Sequence, residues 1–170
     1  MKLQELALKE DELYRRVGDL YQQQRDLGRL QDVFVEYRSV HQAYAELALT
    51  DPEALKRGLF LQWYSMAEPS YLTGISDLDG EAVKMTVLAL NGFIQDGKVD
   101  DELKWMLNYY YAGWKWMVEE WLTPSAGFIN SILHRGNNYL PENIDRRNMA
   151  CRGQMGRYWN SLAKFGKPPG

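Results

Sequence analysis

The stretch LALKEDELYRRVGDLYQQQRDLGRLQDVFVEYRSVHQAYAELA, residues 6–48, decides the fold. Leu6, Leu13, Leu20, Leu27, Phe34, His41 and Ala48 fall seven apart, a helical repeat rather than the alternation of a strand. Val17, then Leu30, Tyr37 and Tyr44, support them, and the support changes side near Gly28. As one helix these 43 residues would span about 64 Å at 1.5 Å each. A compact chain of 170 residues is only roughly 40 Å across. Two arrangements fit. The segment breaks near Gly28 into a helical hairpin, or it protrudes and pairs with a second copy through Leu13, Leu20, Leu27, Phe34 and His41.

Outward from this segment, helix starts and stops recur. Thr50-Asp51-Pro52-Glu53 places a capping side chain before a proline suited to a first turn. Leu55, Leu59, Trp63 and Met66 mark one face of the helix that follows, and Glu68-Pro69 ends it. Residues 70–78 read as a loop carrying Gly74. A helix over about Asp79 to Asp96 presents Val83, Val87, Leu90 and Ile94, with Gly97 as its C-terminal cap. The next starts at Asp100, where Asp101 and Glu102 suit the N-terminal dipole, and runs to Thr123-Pro124. A short apolar segment around Phe128, Ile129, Ile132 and Leu133 follows, and residues 141–150 and 155–165 read as helices. The expectation is an all-α, single compact domain over residues 1–170. It comprises a heptad-patterned segment (1–49), an aromatic-rich core (50–135) and a basic C-terminal segment (136–170), with about six or seven helices in all.

Bulk composition narrows the class. Apolar residues make up 45% and charged residues 25%, ordinary globular usage. The lone Cys151 cannot form an internal disulfide. The N-terminus carries no continuous apolar region of signal-peptide type, and every long helical candidate carries charges on each turn. A soluble, cytoplasmic protein is expected. Charge is uneven: residues 1–133 hold 13 basic and 21 acidic side chains, and residues 134–170 hold 7 and 2. Such a basic tail either packs on an acidic body or serves an acidic partner through Arg152, Arg157 and Lys164. The acidic body disfavours nucleic acid.

Motif chemistry is sparse. His41 and His134 lack the Glu-x-x-His spacing of di-iron bundles, and no HExxH or Cys/His cluster occurs, so no metal site or cofactor is expected. Asp96-Gly97-Lys98-Val99-Asp100 resembles part of a calcium loop, but Gly92, Ile94 and Leu103 stand where oxygen ligands belong. Nucleophile elbow, phosphate loop and dinucleotide fingerprint are all absent from the sequence. The segment Arg157-Tyr158-Trp159-Asn160-Ser161-Leu162-Ala163-Lys164, with Gly166 and Pro168 beyond, is similar to the C-terminal helix of large carboxylesterases. That similarity covers about a dozen residues with no catalytic residue among them, and it implies only that the tail is a helix.

The aromatic helix carries the functional expectation. Leu103, Met106, Tyr110, Trp114, Met117 and Trp121 form its main face, while Trp105, Tyr109 and Trp116 lie off it. A helix apolar nearly all round is either central and buried or exposes a second face. An exposed face of Trp105, Tyr109 and Trp116, joined by Trp63, Tyr64 and Tyr71, would serve as an interaction surface or pocket wall. Two functions follow: a non-enzymatic interaction or adaptor protein that binds another protein or itself, as a homodimer, or a small-ligand-binding protein or enzyme with an aromatic-lined pocket.

Overall fold

A computed structural model describes the backbone of residues 2–22, 27–133 and 144–165; the side chains of Leu27, Phe128 and residues 163–165 lie outside that description. Leu27 and Lys164 of the sequence expectation therefore fall outside the described residues. In chain order the helices are α1 (Leu3–Gln22), α2 (Leu30–Ala48), α3 (Pro52–Ala67), α4 (Ser70–Thr73), α5 (Gly80–Gln95), α6 (Asp101–Gly113), α7 (Lys115–Trp121), α8 (Ile129–Ile132), α9 (Arg146–Met149) and α10 (Gly153–Phe165). Among the described residues there is no strand, so the domain is all-α. None of these helices is long and apolar enough to cross a membrane.

The described parts of the heptad stretch form α1 and α2, with a 3-10 turn at Leu27–Arg29 leading into α2, and the two helices pack on one another. Glu10 meets Tyr44, and Arg16 meets Glu36. Numbers rise along α1 as they fall along α2, which makes the pair an antiparallel hairpin. Leu6, Leu13 and Val17 from one side and Val33, Phe34, Tyr37 and His41 from the other are all buried in the domain.

The middle of the domain belongs to α3 rather than to the aromatic helix. Every residue from Ala54 to Trp63 is buried. This includes Lys56 and Arg57, whose charges are ion-paired to Asp100, Glu102 and Glu53. A buried charge needs such a partner, which is why a helix of mixed composition can stand at the centre. Asp51 caps α3 by accepting from the N–H groups of Glu53 (2.8 Å) and Ala54 (3.2 Å). Asp79 caps α5 and Asp100 caps α6 in the same way.

Two expectations change. Residues 70–73, read as loop, form a helical turn. Gly74 closes it at φ +76°, donating its N–H to the Ser70 carbonyl at 2.8 Å. A Cβ at Gly74 would stand 2.7 Å from Val17 and 2.8 Å from Val33, so close packing as well as left-handed backbone requires glycine there. The single helix expected from Asp100 to Thr123 is divided at Trp114, whose φ and ψ of −133° and 52° follow the weak helix former Gly113. That break turns α7 away from α6 and separates Trp116 from Trp105 and Tyr109.

Candidate functional site

α10 closes over the aromatic face of α6. Trp159, fully buried, stands 4.6 Å from Trp105 and 4.9 Å from Tyr109, ring centre to ring centre. Trp63 stacks on Tyr110 at 4.8 Å, Phe60 stacks on Tyr64 at 4.9 Å, and the Tyr109 and Tyr158 hydroxyls lie 2.6 Å apart. The structure thus gathers Trp63, Tyr64, Trp105 and Tyr109 into one aromatic block between α3, α6 and α10. Burial pushes the Tyr64 hydroxyl up to about 12. Tyr71 lies elsewhere, exposed beside Leu72, Tyr14 and Tyr21 around a hollow between α1 and α4.

Trp116 is also left in solvent, 54% exposed, and it forms part of a cleft. The cleft has a volume of about 890 Å³ and lies between the C-terminal half of α3, the segment after α4, α5 and α7. Its apolar walls include Ile75, Val83, Val87, Leu88, Met117 and Trp121. Met66 and Leu88 stand at its edge 49% and 68% exposed, so their apolar area remains open to water. Local sequence explains the shape. Pro69 stops α3, the left-handed Gly74 turns the chain back, and Asp79 restarts it as α5. Between these points Asp77 adopts a φ of +48°, a left-handed conformation that aspartate tolerates better than most residues.

Two buried amides occupy the cleft floor, in different states. Asn91 is fully engaged. It donates to the carbonyls of Val87 and Trp121, both at 2.8 Å, and accepts from the Ser125 hydroxyl at 2.5 Å, which ties α5 to the end of α7. Gln62 is not. Its amide nitrogen donates to His41 Nε2 (3.1 Å) and towards the Val83 carbonyl (3.4 Å), while its Oε1 has no partner. Burial holds the His41 imidazole down to about 4, against a smaller upward pull from Asp79, so the ring is neutral at pH 7. The other ring nitrogen, Nδ1, is buried without a hydrogen-bond partner.

Charged groups around the cleft are predominantly acidic. Glu68, Asp77 and Glu120 contribute carboxylates with no Lys or Arg partner among the described residues. Lys84 also lines it, but its ammonium is paired with Glu81 at 2.7 Å.

The basic tail turns inward. Arg152 is buried, with its guanidinium forked onto Glu53 (2.5 and 2.7 Å) and bonded to Glu102. Arg157 pairs with Asp11 at 2.8 Å. Beside them a second polar cluster joins α1, α2, α3 and α10. Glu10 accepts from the Tyr44 hydroxyl (2.6 Å) and the Gln154 N–H (3.1 Å), and Gln154 also donates to Tyr37 (2.7 Å). Burial pushes the Glu10 carboxyl up to about 7, with those hydrogen bonds and Arg57 pulling the other way. Glu10 is 1% exposed, so the cluster fastens helices together and offers no surface to a substrate.

The heptad residues Leu13, Phe34 and His41 are buried within the chain and Leu20 is half-buried. Cys151 is exposed. Among the described residues, no group of three or more His, Cys, Asp or Glu side chains is arranged to hold a metal ion. Gln62 and Leu88 went unnoticed as site residues in the sequence, and Asp77 stands out there only in a stretch that fails as a calcium loop. Leu88 carried a signal, since it lies off the Val83/Val87/Leu90/Ile94 stripe; an amide with one free oxygen carries none. Comparison with family models, with curated proteins and with solved structures finds no match to this chain.

Proposed function

We propose that this chain is a non-catalytic binding protein whose cleft between α3, α5 and α7 holds a small, largely apolar organic molecule. The observation that carries this reading is the cleft itself. Its volume of about 890 Å³ falls within the range typical of ligand sites. Apolar walls with a few polar groups, Gln62 and Asn91 among them, are the usual composition of such a site. The exposed area of Met66, Leu88 and Trp116 supplies the driving force, at about 25 cal/mol per Å² removed from water.

The test is titration of the full chain with the neutral apolar dye Nile red. Saturable one-to-one binding with blue-shifted emission is expected. Leu88→Asp abolishes it and Trp116→Ala weakens it about tenfold, a loss of about 1.4 kcal/mol, with unfolding midpoints unchanged because both side chains are exposed. Absence of saturable binding, or binding indifferent to both substitutions, overturns the reading.

A second reading, docking of another protein chain or a second copy, is favoured by the exposed group of Tyr14, Tyr21, Tyr71 and Leu72. Light scattering of the intact chain and of a Tyr21→Glu/Tyr71→Glu variant tests the self-association arm. A monomer in both cases removes the homodimer.

A further inference from the structure

We infer that the cleft selects organic cations, molecules with an apolar body and a protonated amine, and this rests on the binding function proposed above. The argument is one of unpaired groups. Around the cleft, the charged groups without an oppositely charged partner among the described residues are the carboxylates of Glu68, Asp77 and Glu120. The lysine and the asparagine amide that could satisfy an anion are already committed. The Lys84 ammonium is held by Glu81, and the Asn91 amide donates to two backbone carbonyls. An anionic ligand would meet three carboxylates and no free cationic side chain among the described lining residues. A neutral one would leave the carboxylates as they are. A cation with N–H groups complements both the charge and the hydrogen-bonding polarity.

A further feature fits the same occupant. Trp116 stands exposed at the edge, and an indole face attracts an ammonium group more strongly than other aromatic rings do. The apolar body lies on the α5–α7 wall, where Val87, Leu88 and Trp121 provide the surface.

The experiment displaces Nile red from the full chain with three probes of equal tail length, decylamine, decanol and decanoate, each below its aggregation concentration at pH 7. Decylamine is expected to displace the dye at a concentration at least about tenfold below that of decanoate, with decanol between them. The gap narrows as salt is raised, because carboxylates at an open edge are screened. It also collapses in the Glu68→Gln/Asp77→Asn/Glu120→Gln variant. Those three side chains lie at the surface, and asparagine tolerates the left-handed backbone at position 77, so the variant folds. Equal displacement by all three probes, or preference for decanoate, overturns the inference while leaving the binding function standing. Failure of Nile red to bind in the cleft overturns both.

Discussion

The carboxylate of Glu10 occupies the space in which a Cβ on Gly153 would stand, and Gly153 itself holds a left-handed φ of +59°. One residue further on, the Gln154 N–H bonds to the same carboxylate at 3.1 Å. The first turn of α10 is thereby seated on α1. Gly153→Ala is expected to lower stability by about 3 kcal/mol, combining left-handed strain of roughly 1–2 kcal/mol with displacement of a buried carboxylate. Gly97→Ala is the control. It has a similar φ of +66° but nothing within 4 Å of the added Cβ, so it should cost only the strain, about 1–2 kcal/mol. Chemical denaturation of both variants checks the difference, and equal losses would show that the Glu10 contact contributes nothing.

Glu10 and His41 pull the pH dependence of stability in opposite directions. Glu10 has its folded carboxyl raised from 4.5 to about 7, so between those values the folded state holds a proton the unfolded state has lost. Stability from this group therefore falls as pH rises from about 4.5 to 7. His41 is lowered from 6.5 to about 4, so the unfolded state takes up the proton first, and stability falls as pH drops from 6.5 to 4. Across pH 4.5–6.5 the two slopes, each at most about 1.4 kcal/mol per pH unit, largely cancel. Glu10→Gln should unmask a stability that rises with pH over that window, and His41→Leu one that falls. Urea titrations at pH 4.5, 5.5 and 6.5 read both signs.

How far the fold was legible in the sequence depended on whether its cause was local. Asp51-Pro52, Asp79, Gly97 and Asp100 mark the ends of α3, α5 and α6 because a cap is decided within three residues. The division at Trp114 was hidden, since the aromatic stripe runs through it unbroken while the backbone follows packing against α5 and α10. Glu10 was half-visible. It stands four residues after Leu6 and three before Leu13, on the buried stripe, yet its neighbours Lys9, Asp11 and Glu12 make the run read as a solvated face. The cleft was the least legible feature. Its three carboxylates come from the residue that ends α3, the segment after α4, and α7, and only the tertiary arrangement brings them to one cleft.

The ion network around Arg152 should behave as a unit. Burial works against its charge, but the hydrogen bonds it donates to Glu53 and Glu102 more than reverse this and hold the guanidinium protonated. The same partners act on Glu102: burial pushes its carboxyl up, while Arg152 and Lys56 bring it below the ordinary carboxylate range. Arg152→Met is expected to cost about 3 kcal/mol, the low end for breaking a buried pair because Glu53 and Glu102 remain about a quarter exposed. Lys56→Met should cost a similar amount. The double variant should lose roughly 1 kcal/mol less than the summed singles, because both cations share Glu102. A double-mutant cycle by denaturation measures the coupling, and strict additivity would dissolve the network.

Tryptophan accessibility separates the aromatic block from the cleft. Trp63, Trp121 and Trp159 are at most 5% exposed, whereas Trp116 stands more than half in solvent. Acrylamide should therefore quench only a fraction of the native fluorescence efficiently, and Trp116→Phe should remove most of that fraction with little change in stability. Trp159→Phe should do the reverse. The quenchable fraction would survive, while the lost ring contacts to Trp105 and Tyr109 and the smaller buried side chain lower stability by about 2 kcal/mol. If Trp116→Phe leaves the quenchable fraction intact, the exposed edge of the cleft is not where the structure puts it, and the ligand site argued from that edge falls with it.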